Sequence, residues 1–144
     1  MYTRIEQERN EFNQWKHVIS CSGEPKFGDR TWNIIMKGPA DSPYMGGKFK
    51  IKIYFPDNYP TEKPEVTFET PICHININGK EICISSLKKD YNPDLSIVDI
   101  LNSIFMMLTS PNEHDAYSRY KDLYLKDYTG YLAKAREMTR EYAK

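Results

Sequence analysis

An α+β fold is what this sequence predicts, from two changes of pattern along its 144 residues. A helical apolar period at the N-terminus gives way to short alternating runs, and the helical period returns in the last third. Helices segregated from strands, rather than interleaved with them, call for an antiparallel sheet with helices at its ends. The length suits one domain, residues 1–144, able to bury about two thirds of its unfolded surface without staples.

The first element runs from Tyr2 to Ile19, where Ile5, Phe12, Trp15 and Ile19 recur near helical spacing among charges, and Gly23, Pro25 and Gly28 end it. A four-stranded antiparallel meander follows: a strand starting near Cys21, then TWNIIMK, KFKIKIYF and EVTF. Phe49, Ile51, Ile53 and Phe55 alternate with lysines, giving the sheet one apolar and one wet face. GPADSPYMGG and DNYPTEKP supply the tight connections.

From Pro71 to Pro93 no period is clear, so this is a long ordered loop, the kind of segment that carries function. Ser96 with Asp99 opens a central helix whose Ile97, Ile100, Leu101, Ile104, Phe105 and Leu108 share one face, and Ser110 and Pro111 stop it. Two C-terminal helices complete the chain, Tyr117 to Lys126 and Tyr128 to Tyr142, the second placing Leu132, Ala135, Met138 and Tyr142 on one side.

Charge and composition narrow the function. Lys plus Arg and Asp plus Glu both number 20, so no global field draws the chain to nucleic acid or an anionic membrane. The N-terminus is charged where a signal peptide is apolar, and the run Ile104 to Leu108 is too short to span a bilayer. Three cysteines, with no CxxC pair, suggest neither a disulfide framework nor a metal centre. A soluble monomer of the cytosol or nucleus is the expectation.

Candidate chemistry sits in HININGKEICISS, His74 to Ser86. A cysteine is the strongest nucleophile among side chains but needs activating surroundings. Ile82 and Ile84 flank Cys83, and on those facts alone it reads as one more buried thiol. Cys21 and Cys73 have no activating neighbour. His74 and Cys83 together admit a thiol hydrolase pair, and Asn76 could donate to an oxyanion or merely close an Asx turn.

Six stretches in order tip this balance: GPADSPYMGGKF, YFPDNYPTEKPEVTF, HIN, GKEIC, YNPDLSI and SPNEHDAY. With the helix before them and two helices behind, they make the chain resemble the ubiquitin-conjugating enzymes over almost its whole length. The resemblance implies a transferase that accepts the C-terminal glycine of ubiquitin on Cys83 as a thioester from an activating enzyme. It then passes that acyl group to a substrate lysine, usually with a RING- or HECT-type ligase. No cofactor is implied, since the activating enzyme consumes the ATP, and the chain has no Gly-rich phosphate loop.

By matching position, Asn76 takes the role of oxyanion stabiliser or loop-ordering residue, His74 a structural role, and Asp115 that of orienting or deprotonating the incoming amine. Tyr91 matches an aromatic position, and Leu95 is expected to pack the tail of the bound acyl group. Arg4 matches a contact for activating enzymes and ligases, and Thr61, Asn92 and Pro93 belong to ligase-gripping loops.

Four departures stand out. Ile75 replaces the signature proline and restores an N–H, and the segment from Asn76 to Cys83 is one residue short. Ser85 replaces a common acidic residue, and Thr61 a large apolar one. Three alternatives remain at this point: an inactive ubiquitin-binding relative, a carrier of another ubiquitin-like modifier, and the Cys/His hydrolase, which the resemblance demotes. Inactive relatives typically lack the cysteine.

Overall fold

The computed structural model describes residues 3–144, and Tyr2, where the first helix is expected to begin, lies outside the described residues. Helix α1 spans Arg4–Trp15, started by the Thr3 hydroxyl accepting from the Glu6 N–H. Its inward face differs from the expectation. Phe12 is fully buried, but so are Glu6 and Glu8 to within 3%, whereas Trp15 is 44% exposed. Ile19 is buried beyond the helix end.

Strands β1 (Cys21–Ser22), β2 (Thr31–Lys37), β3 (Lys48–Tyr54) and β4 (Glu65–Phe68) form the expected antiparallel meander. Period-2 side-chain alternation sends Trp32, Ile34, Met36, Phe49, Ile51, Ile53, Val66 and Phe68 into the core. Aromatic contacts weld α1 to the sheet: the Trp32 ring lies 5.7 Å from Phe12 and 4.9 Å from Phe55.

The sheet does not stop at four strands. Inside the segment read as an irregular loop, β5 (Ile77–Asn78) and β6 (Glu81–Ile82) make a hairpin, and the sheet order is β1-β2-β3-β4-β6-β5. Two-residue strands show no period, which is why pattern reading misses them. Gly79, at φ +63°, takes the turn position that an L side chain resists.

Helix α2 (Ile97–Thr109) has the capping box foreseen in Ser96 and Asp99, and buries Ile97, Ile100, Leu101, Ile104, Met107 and Leu108. Helix α3 is shorter than expected, Lys121–Lys126, because residue 117 is irregular and 118–120 enter the helix as a bend and turn. Helix α4 (Tyr128–Tyr142) buries Tyr131, Ala135 and Met138 but leaves Tyr142 48% exposed. Among the described residues no helix is long and apolar enough to cross a membrane.

Candidate active site

The hairpin register creates the site. A two-residue turn pairs Asn78 with Glu81 and Ile77 with Ile82, so the next step outward sets Asn76 opposite Cys83. The Cys83 N–H donates to the Asn76 carbonyl at 2.8 Å. The short connection therefore closes as a tight hairpin that sets Cys83 just past the end of β6, and a 3₁₀ turn, Ser85–Leu87, follows it at once.

Cys83 opens on a cleft of about 660 Å³ shared with Glu81, Ser85, Lys88, Asp115 and Tyr117. Cys83 is 5% exposed, and burial pushes the pKa of its thiol up, with the Glu81 carboxylate adding to the rise and Lys88 opposing it. Lys88 is itself paired with Glu81. Nothing here makes a standing thiolate.

His74 lies fully buried behind the cleft. Its Nε2 donates to the Met107 carbonyl at 2.9 Å, and its Nδ1 accepts from the Asn76 N–H at 2.9 Å. Those bonds select the neutral tautomer, and burial lowers the ring's pKa to about 4. Neither nitrogen is left for Cys83, which removes the geometric basis of a Cys/His hydrolase.

Asn76 is equally buried, and its side chain turns toward residue 112. Its Nδ2 donates to the Asn112 carbonyl at 2.7 Å while its Oδ1 accepts from the Asn112 N–H at 2.9 Å. One amide thus pairs with both backbone groups of a distant residue, the arrangement that best satisfies a buried Asn. The Asn112 side chain in turn donates to Asp115 Oδ2 at 2.9 Å. Asn112 was not singled out from the sequence, although the SPNE stretch follows the end of α2 as a loop would.

Other expected site residues gather elsewhere. Tyr91 and Leu95 are half-buried but do not line the cleft. The Tyr91 hydroxyl donates to the Pro60 carbonyl at 2.6 Å, next to exposed Thr61, and Arg4 donates to the Leu95 carbonyl at 3.0 Å. Asn92 and Pro93 are exposed on the same loop as Leu95. Arg4, Thr61, Asn92 and Pro93 therefore frame one surface, separate from the cleft. Behind it, Glu8 is the residue sequence reasoning missed, since a carboxylate on an outer helix reads as solvated.

Among the described residues no three His, Cys, Asp or Glu side chains converge as a metal site requires. Compared with known proteins, residues 4–139 match the family model for ubiquitin-conjugating enzymes. The structure is similar to that of the E2 domain of a Toxoplasma gondii ubiquitin conjugating enzyme, with a TM-score of 0.86 and 30% sequence identity. That match covers 98% of this chain and 97% of the other.

Proposed function

Because this chain belongs to the ubiquitin-conjugating enzyme family, we propose that it carries ubiquitin as a thioester on Cys83 and delivers it to a substrate lysine. The observation that supports this most is the shared cleft, in which Cys83 meets a carboxylate, Asp115, held from behind by Asn112 and Asn76.

In the charging step the Cys83 sulfur, deprotonated, attacks the thioester carbonyl of ubiquitin's C-terminal glycine on the activating enzyme. The carbon–sulfur bond to Cys83 forms and the activating enzyme's thiolate leaves. A thiol whose pKa is raised is a sluggish nucleophile at rest and, once acylated, a poor leaving group. That combination suits a carrier, which must hold an activated acyl group against water.

In the delivery step a lysine amine attacks the same carbonyl, an amide forms, and the Cys83 thiolate departs. Asp115 orients the amine and accepts its proton. Asn76, with its amide committed to Asn112, acts by keeping the Asp115 segment in place, and His74 secures Asn76 from inside the core. Tyr91 ties its loop to the Pro60 carbonyl, and Leu95 packs the tail of the bound acyl group.

The surface framed by Arg4, Thr61, Asn92 and Pro93 receives the activating enzyme and a RING- or HECT-type ligase in turn. The protein works as a monomer in the cytosol or nucleus, with no cofactor of its own.

The test is a charging assay with activating enzyme, ubiquitin and ATP, resolved with and without reductant. Wild type should give a reductant-sensitive adduct, and Cys83→Ser should lose it or convert it to a reductant-resistant ester. A folded wild type that takes no ubiquitin but takes another modifier would redirect the reading to that modifier. One that takes none would refute the carrier role.

A further inference from the structure

Ile75 is fully buried, so its N–H must find a partner inside the protein. A proline at that position would have no N–H to satisfy. Here the partner comes from α4, 56 residues further along the chain: the Ile75 N–H donates to the Tyr131 hydroxyl at 3.2 Å.

Proton counting fixes the direction of the remaining bonds. The Tyr44 hydroxyl donates its single proton to the Cys73 carbonyl at 2.6 Å. The Tyr131 proton is then directed at the Tyr44 oxygen, 3.4 Å away. The relay runs from the Ile75 N–H through Tyr131 and Tyr44 to the Cys73 C=O, closing a ring around His74. Burial pushes the Tyr131 pKa to about 12, so this donor keeps its proton at any working pH.

Residue 75 is also tied to the wall of the cleft. Its carbonyl accepts from the Tyr117 N–H at 3.0 Å, while Asn76 grips both backbone groups of Asn112. These bonds hold the segment bearing Asp115 at both ends, at residue 112 and at residue 117. The position of residues 75 and 76 therefore sets the position of Asp115.

We propose that Tyr131 is a positioning residue for amine transfer: its hydroxyl takes over the work of a rigid imino acid at residue 75, holding the segment against which Asp115 is placed. This rests on the carrier reading above. Tyr131 touches neither ubiquitin nor lysine and acts through Ile75, Asn76 and Asn112.

The experiment is a double-mutant cycle with Tyr131→Phe and Ile75→Pro, read as single-turnover discharge of the thioester onto free lysine and, separately, as charging rate. Tyr131→Phe keeps the ring and orphans one buried N–H, a defect worth about a tenfold slowing of discharge with charging unchanged. In the Ile75→Pro background, where no N–H is left to orphan, Tyr131→Phe should have no further effect.

The proposal is overturned if Tyr131→Phe discharges at the wild-type rate, if charging and discharge slow by one common factor, or if the tenfold loss persists in the Ile75→Pro background. Should Ile75→Pro fail to fold, amide exchange decides: Ile75 must lose protection in Tyr131→Phe, and equal protection would overturn the proposal. A wild type that never charges would refute the carrier reading instead, a result distinguishable because the exchange measurement needs no ubiquitin.

Discussion

Two buried polar junctions hold this molecule's working surfaces, and they are built from opposite materials. Behind the surface framed by Arg4 and Thr61, Glu8 accepts from the Tyr59 hydroxyl at 3.0 Å, from the Ile97 N–H that begins α2, and from Arg4 at 3.4 Å. Arg4 lies 5.7 Å from the Tyr59 ring centre and also holds the Leu95 carbonyl. At the cleft, Asn76, His74 and Tyr131 do the equivalent work with neutral groups.

The difference lies in what burial does to each. A carboxylate at the start of α2 benefits from the helix dipole and three donors, yet burial still dominates and raises the Glu8 pKa. The cleft junction carries no charge to desolvate, and its imidazole is held neutral. The cleft junction thus holds no net charge near neutral pH, whereas the surface framed by Arg4 and Thr61 is anchored by a carboxylate whose charge depends on pH.

The largest effect that would break the comparison is at Glu8. Glu8→Ala strands Arg4, the Tyr59 hydroxyl and the Ile97 N–H, and should cost about 3–5 kcal/mol in urea denaturation, as loss of a buried ionic partner does. A loss near zero would mean water replaces the carboxylate and the junction holds nothing.

Next comes Asp115→Ala, which should slow discharge onto lysine by about a hundredfold while leaving charging nearly intact. Equal discharge rates would remove Asp115 from the mechanism. Asn76→Ala leaves both Asn112 backbone groups unpaired and should cost about 1–3 kcal/mol, with discharge hurt more than charging. If stability falls but discharge does not, Asn76 is a structural clamp without influence on the cleft.

The smallest effect sharpens the contrast through pH. A group raised in the folded state stabilises fully below its unfolded pKa, so Glu8's contribution is complete below 4.5 and lost as pH rises through its higher folded value. A group lowered in the folded state behaves oppositely: His74's contribution is complete above 6.5 and lost as pH falls toward about 4. The two oppose each other in mild acid, so the wild-type stability curve is flattened there. Glu8→Gln should steepen it by up to about 1.4 kcal/mol per pH unit, the slope of one proton. Parallel curves for the two proteins would show that Glu8 binds its proton equally in the folded and unfolded states, so that burial does not raise its pKa.

The same contrast explains what was legible in the chain. Ser96, Asp99 and the α2 face are local signals, and they reappear in the structure as a capping box and a buried stripe. The alternating strands are local too. Cys83 and Asp115 were picked out by resemblance, and the fold places both on one cleft. Glu8 went unrecognised because a glutamate on an outer helix carries no sign of burial. Asn112 and Tyr131 went unrecognised because their partners lie 36 and 56 residues away.

By itself, then, the sequence determined the helices, the four strands of the meander, their order and the candidate reactive groups, since helical and strand periods and caps depend on residues a few positions apart. The tertiary structure alone decided which polar groups meet: that Asn76 grips residue 112, that Tyr131 satisfies Ile75, and that Glu8 accepts from the first N–H of α2. The physical reason is that buried donors and acceptors must be paired, and with which partner is settled only when distant elements dock.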